Sequence, residues 1–479
     1  MKRILAFLLI IIACASSVPA QKRQMRAAWL HTVFQDGYLR RTTAQNQAYL
    51  RSQLDSLRRA GCNAVIFQVR PQADAFYPSR LEPWSRFLTD DGKAPSPAWD
   101  PLQFMIDEAH ARGMELHAWL NPYRITSNAK QRLPAGHIAL KHPERTVRFD
   151  GKLYFDPGQP ANRDHIAAVV LDIISRYDVD GIHFDDYFYP YPVKGVKFAD
   201  SKSYARYGRG MSLGDWRRHN VDLLIEQIHT LIAAHKPWVV FGVSPFGIWR
   251  NSTSDPDGSP TSGLQNYDDL YADILRWARE GWIDYQMPQL YWTLDHKAAP
   301  SRQLVDWWAD HACGRHLFIG QDVTRTLTAD KSELHEKMAL AARRPEIGGH
   351  CWWPGYAVTA NRMGVADSLA MRYQSCAAIP PAYPWISDRK PEAPKALRIR
   401  SGSLQWAAPA AHGTADDAVR YAVYRFEPGE NIDITRSDAL CGITYRPQWA
   451  ADRSGVYVVS SLSRVNQESE PSRPITVKL

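Results

Sequence analysis

The amino-acid sequence predicts an α/β protein, a (β/α)8 TIM barrel followed by a small all-β sandwich. Three observations predict it. From Arg26 to about Tyr373, short apolar runs alternate with amphipathic helical stretches, the pattern of parallel strands joined by crossover helices. About eight such units fit into some 350 residues, which suits a closed barrel with elaborated loops. Beyond a proline-rich break, helical periodicity disappears and short alternating strands take over.

The strands expected in order are Ala27–Leu30, Ala64–Val69, Glu115–Leu120, Gly181–Phe184, Val239–Val243, Tyr285–Tyr291, His316–Ile319 and Gly349–Trp353. The helices expected are Ala44–Ala60, Pro101–Arg112, Asn162–Tyr177, Leu213–Ala234, Tyr267–Glu280, Gln303–Ala312, Lys331–Arg343 and Ala360–Tyr373. A doubly wound open sheet is the alternative, but no glycine-rich phosphate fingerprint follows the first strand. Residues 377–395 read as a Pro-rich linker between a barrel domain at 21–376 and a β-domain at 396–479. In that last part, Trp406 on an early strand and Tyr457 on a late one, followed by Asn466–Ser469, resemble a fibronectin type III module.

Residues 1–20 read as a signal peptide. Lys2 and Arg3 precede an apolar run from Ile4 to Ala13, too short to span a bilayer, and Val18-Pro19-Ala20 offers a cleavage point. The competing reading makes Ile11-Ile12-Ala13-Cys14 a lipobox, with Cys14 lipidated. Both readings export the chain to the periplasm or beyond, and no later run is long and apolar enough for a transmembrane segment. The formal charge of +8 falls to +6 on losing Lys2 and Arg3 and is spread without a basic run, so nucleic acid is not an expected partner. The five remaining cysteines, Cys62, Cys313, Cys351, Cys376 and Cys441, have no zinc spacing and read mainly as buried thiols.

Chemistry in a barrel sits at the carboxyl ends of the strands. The fourth expected strand ends Phe184-Asp185-Asp186-Tyr187-Phe188-Tyr189-Pro190. Paired carboxylates ringed by aromatics suit glycoside hydrolysis: an acid protonates the leaving oxygen, and flat rings stack on sugar faces. A solvated loop with one aspartate capping a turn is the plain alternative, and a glycan-binding protein without catalysis is the other. Binding alone has no use for two carboxylates at the barrel's chemical face. Other strand ends supply Arg70, Asp74, His117, Trp119, Asn121, Tyr123, Arg124, Asp156, His183, Gln289, Trp292, Trp352 and Trp353 as candidate substrate-binding residues, and Tyr291 joins Asp185 and Asp186 as a candidate catalytic group. No metal or cofactor is expected: His31, His117 and His183 lie on separate strands, which leaves a zinc site as the lesser alternative, and the lack of a Gly-x-Ser-x-Gly elbow argues against a serine hydrolase.

Five motifs in order, Arg26–Leu30, Gln68-Val69-Arg70-Pro71, Asn121-Pro122-Tyr123-Arg124, Asp180–Tyr187 and Pro288-Gln289-Leu290-Tyr291-Trp292, resemble the glycosyl-hydrolase-like family 10 proteins. The resemblance implies an envelope or secreted (β/α)8 enzyme acting on the glycan strands of peptidoglycan. Where that family carries an asparagine-containing motif, this chain reads Val33-Phe34-Gln35-Asp36-Gly37. The adjacent acids also resemble the pair of the hexosaminidase and O-GlcNAcase families, and Met287–Tyr291 resembles the chitinase motif whose tyrosine holds an acetamide carbonyl. Those resemblances imply attack by the substrate's own 2-acetamido group. One geometric condition stands against them: adjacent strand residues face opposite ways, so both aspartates reach one site only if the strand ends there. Otherwise Asp185 is a nucleophile, with Asp74 or Asp156 as acid.

Overall fold

The computed structural model describes residues 21–330 and 332–479; the expected signal peptide and Cys14 lie outside them. Eight parallel strands close a barrel: β1 (Met25–Leu30), β2 (Ala64–Arg70), β3 (Glu115–Leu120), β6 (Gly181–Phe184), β7 (Val240–Val243), β8 (Tyr285–Gln286), β9 (His316–Asp322) and β10 (Ile347–Trp353). A hairpin, β4 (Thr146–Phe149) and β5 (Lys152–Phe155), interrupts the alternation. Its Asp150-Gly151 turn has φ of 48° and 74°, the backbone that Asp-Gly favours in tight hairpins. The sequence reading passed over that signal.

The barrel strands are buried on both faces, as parallel strands covered by helices must be. Ala28, Val65 and Phe67 face the helices, among them Thr43–Arg59 with Leu50, Leu54 and Leu57 inward. Ala27, Trp29, Ile66, Tyr285, Met287, Phe318 and Cys351 fill the interior. Small residues make room for large ones there: a Cβ at Gly242 would lie 2.0 Å from the Tyr285 ring, and one at Gly181 2.7 Å from His117. The helix Thr43–Arg59 opens with a reciprocal Thr42/Gln45 capping box, and Pro101–His110 opens with an Asp100 side-chain cap and proline in its first turn.

Three expected elements come out shorter. β8 stops at Gln286 because Pro288 has no N–H to extend the ladder. The helix expected over Tyr267–Glu280 splits into Asn266–Asp269 and Ile274–Arg279 across Tyr271, whose φ is 56°. The last barrel helix breaks at Asn361 and Met363, both left-handed.

The C-terminal region is all-β. One sheet holds β11 (Lys395–Arg400), β12 (Ser403–Ala407) and β15 (Gln448–Ala450); the other runs β14 (Leu440–Thr444), β13 (Ala418–Phe426), β16 (Gly455–Ser463) and β17 (Ile475–Val477). The Pro-rich segment before it is extended and tied down. Ile379 exchanges backbone hydrogen bonds with Lys22 and Gln24, Tyr383 N donates to Val465 O, and the Trp385 indole donates to Asp284 at 2.7 Å. The strap and β13 cover the amino end of the barrel, leaving its carboxyl end open.

Candidate active site

Where the strands end, a cavity of about 480 Å³ opens, with Asp185 on its floor. β6 ends at Phe184, so the chain leaves the sheet between the two aspartates. Asp185 continues the inward phase of His183. The Asp186 carboxyl turns behind it and accepts a short hydrogen bond from the Tyr191 hydroxyl. Three N–H donors converge on Asp185: Asn121 Nδ2 at 3.2 Å, Gln289 Nε2 at 3.2 Å and the Asp186 backbone at 2.9 Å. Asn121 is itself aimed by Gln68, whose amide donates to it at 2.6 Å while accepting from the backbone of Thr32 and Val33.

Burial raises the Asp186 carboxyl well above the usual carboxylate range, and the neighbouring Asp185 charge and a hydrogen bond to Asp185 raise it further. That direction favours the protonated form of Asp186 beside Asp185, since two adjacent carboxylates resist ionising together. The Tyr291 hydroxyl, pushed up by burial and then by Asp185, stays protonated. Tyr291 lines the cavity, and among the described residues its hydroxyl has no hydrogen-bond partner.

Of the residues singled out from sequence, Trp119, Arg124, Asp185, Gln289, Tyr291, Trp292 and Trp353 line the cavity. Asp186 and Asn121 lie directly beneath. The others do not line it. Arg70 is fully buried, with Nε 2.8 Å and Nη2 2.5 Å from Glu82, and Nη1 on the carbonyls of Asn121 and Pro122. Asp74 is turned onto the backbone N–H groups of Gln72 and Arg86, and burial pushes it up to about 6. Asp156 accepts from Gly158 N and Ser203 Oγ. Neither carboxyl reaches the cavity, so neither is placed to serve Asp185 as a separate acid. His117 and His183 point along the barrel axis onto Tyr285. Tyr123 is buried among the helices' apolar side chains, as is Trp352, because alternation along β10 sends Trp353 into the cavity and Trp352 away.

The cavity adds residues the sequence reading did not select: Trp29, His31, Phe34, Gln68, Tyr187, Tyr191, Ser244, Phe246 and Arg325. Trp29, Gln68 and Tyr187 stood in the quoted motifs; Arg325, on a helix that follows β9, had no local signal. Phe34 is 63% exposed at the rim, with a left-handed φ of 58°. A second hollow of about 300 Å³ shares Phe34, Arg124, Tyr187 and Tyr191 with the first and continues to Lys152. A third, about 550 Å³, shares Phe149, Pro190 and Pro192 with the second. The three hollows are neighbours, linked through these shared lining residues. Among the described residues, no three His, Cys, Asp or Glu side chains are grouped to hold a metal ion.

Paired acids on an aromatic-walled barrel floor suit a glycosidase, and the family match and the sequence relatives agree with that class. The family described as Glycosyl hydrolase-like 10 matches residues 24–335. A glycosyl hydrolase of Bacillus subtilis, YngK, is 37% identical over 99% of both chains, and DigH of Escherichia coli K12 is 41% identical over 62% of this chain and 72% of its own. The glycoside hydrolase domain of PgaB from Bordetella bronchiseptica superposes with a TM-score of 0.49 at 12% identity, covering 73% of this chain and 99% of that domain. The protein is a glycoside hydrolase. It belongs to the glycosyl hydrolase-like family 10.

Proposed function

We propose that this hydrolase cleaves glycosidic bonds of an N-acetylated envelope glycan, the glycan strands of peptidoglycan, with the Asp185/Asp186 pair as its proton-transfer centre. The observation that carries the reading is the unequal pair: Asp185 faces the cavity under three donors, and Asp186, buried behind it, has its carboxyl pushed toward the protonated form. In this reading the substrate's 2-acetamido oxygen attacks the anomeric carbon while its carbonyl is held by the Tyr291 hydroxyl. The bond to the leaving oxygen breaks, that oxygen takes the proton of the pair through Asp185, and the acetamide N–H proton passes to the pair as the neutral oxazoline closes. Water then attacks the anomeric carbon, gives one proton to the pair, and the ring nitrogen takes one back as the acetamide reforms. Substrate-assisted cleavage of this kind needs no covalent glycosyl-enzyme.

The row of adjoining hollows supports a polymer bound across them, and Arg124, Arg325 and Lys152 on their walls suit a sugar carrying a carboxylate. Lys2, Arg3 and the apolar run after them support export. The three-plus-four grouping of the C-terminal strands, with the Tyr457 hydroxyl donating to Arg453 O at 2.7 Å, supports a fibronectin type III-like sandwich.

The test is incubation with intact and with peptide-stripped peptidoglycan, products being identified by mass spectrometry. Cleavage of stripped strands at internal positions is expected. Inhibition by a thiazoline analogue is expected too, since it mimics the oxazoline. Labelling of Asp185 by a 2-fluoro glycoside without thiazoline inhibition would instead make Asp185 the nucleophile.

A further inference from the structure

We infer that the C-terminal sandwich reaches the cavity floor through a one-way chain of buried hydrogen bonds along the barrel axis, and that Arg420, His117, Tyr285 and His183 are positioning residues for Ser244. The inference rests on the cavity being the catalytic site. Arg420, on β13, is 1% exposed and donates to Glu115 Oε1 at 2.5 Å, and Asn466 donates to the same oxygen at 2.9 Å. The other Glu115 oxygen is 3.4 Å from His117 Nε2. His117 Nδ1 lies 2.9 Å from the Tyr285 hydroxyl, which lies 3.0 Å from His183 Nδ1. His183 Nε2 in turn meets Trp29 Nε1 at 3.2 Å and Ser244 Oγ at 3.0 Å.

Two anchors give the chain its direction. The indole of Trp29 can only donate, so His183 Nε2 must accept and His183 carries its proton on Nδ1. The Glu115 carboxylate, matched by Arg420, can only accept, so His117 carries its proton on Nε2. Tyr285 then accepts from His183 and donates to His117, and every group is satisfied. Ser244 Oγ lies 3.0 Å from His183 Nε2 and 3.5 Å from the Phe184 carbonyl, both acceptors, so the hydroxyl donates inward and keeps a lone pair for the cavity it lines. Its carbonyl holds Gln289 at 3.0 Å, the same amide that donates to Asp185. A charge pair at the barrel's amino end therefore sets how the Ser244 hydroxyl presents itself beside Gln289 and Asp185.

Imidazole nitrogen-15 shifts of the full chain test this, with Tyr285→Phe, Arg420→Met and Arg420→Lys. Tyr285→Phe keeps the ring against Gly242 and leaves every charge in place. In the unaltered protein His183 should appear as the Nδ1–H and His117 as the Nε2–H tautomer. Tyr285→Phe should abolish the single tautomer of His183 and lower kcat about tenfold at near-constant KM. Arg420→Met should shift both imidazoles, and Arg420→Lys should restore them. His183 protonated on Nε2, or unchanged kcat in Tyr285→Phe, overturns the inference; so do unchanged imidazoles in Arg420→Met. Absence of hydrolysis by the unaltered chain counts against the glycosidase reading alone, because the tautomers still decide the chain.

Discussion

Replacing Arg70 with Met separates a structural clamp from a substrate contact. Arg70 and Glu82 are both 0% exposed, and the guanidinium also holds the carbonyls of Asn121 and Pro122 at 2.6 and 2.9 Å. Burial pushes Glu82 up, but Arg70 and His165 outweigh it and hold the carboxyl down to about 2. Met fills the stem's volume and strands an ionised carboxylate in the dry interior. Breaking one partner of such a pair costs about 3–5 kcal/mol. At roughly 2 cal/mol/K of unfolding entropy per residue, a body this large loses about 3–5 °C in Tm. Asn121 loses its backbone anchor as well, and its side chain donates to Asp185, so turnover falls about tenfold or more. Calorimetry and glycan turnover read both effects. Adding Glu82→Leu should recover part of the Tm, since an apolar pair substitutes well for a buried ion pair. Muramic-acid ligands and uncharged chitin oligomers should lose affinity alike. An unchanged Tm with selective loss of carboxylated ligands would refute the clamp.

Asp185→Asn and Asp186→Asn should each fold and lose about 10²–10⁴ in kcat, measured on a verified strand substrate; near-normal rates in both would remove the pair from the chemistry. Because the protonated pair is the active form, activity should fall as pH rises through its raised pKa. Tyr191→Phe removes a hydrogen bond that favours ionised Asp186, so the alkaline limb of the pH–rate profile should move to higher pH; a limb that stays or moves down contradicts the assignment. Phe34→Ala, at an exposed rim position, should leave Tm within about 1 °C and raise KM for strands about two- to tenfold, the worth of one aromatic contact. Equal KM values would leave Phe34 without a role in the groove.

The sequence by itself determined the barrel, because strand and helix periodicities and N-terminal caps such as Thr42 and Asp100 are local signals. It also marked Asp185 as a candidate, since a carboxylate pair followed by aromatics at a strand's end is readable without coordinates, and the cavity opens over that residue. Only the tertiary structure decided which strand-end residues meet the cavity. Arg70 and Arg124 lie in similar motifs, yet Glu82 takes one into the interior and leaves the other on the groove. The phase of β10 decided between Trp352 and Trp353. The end of β6 at Phe184 decided that both acids lie close together, Asp185 facing the cavity and Asp186 behind it. His117 and His183 looked like sugar ligands, but the axis of the barrel and a distant Arg420 claimed them. Partners far apart in sequence leave no local trace, because burial and hydrogen bonding are satisfied by whatever closure of the chain brings near.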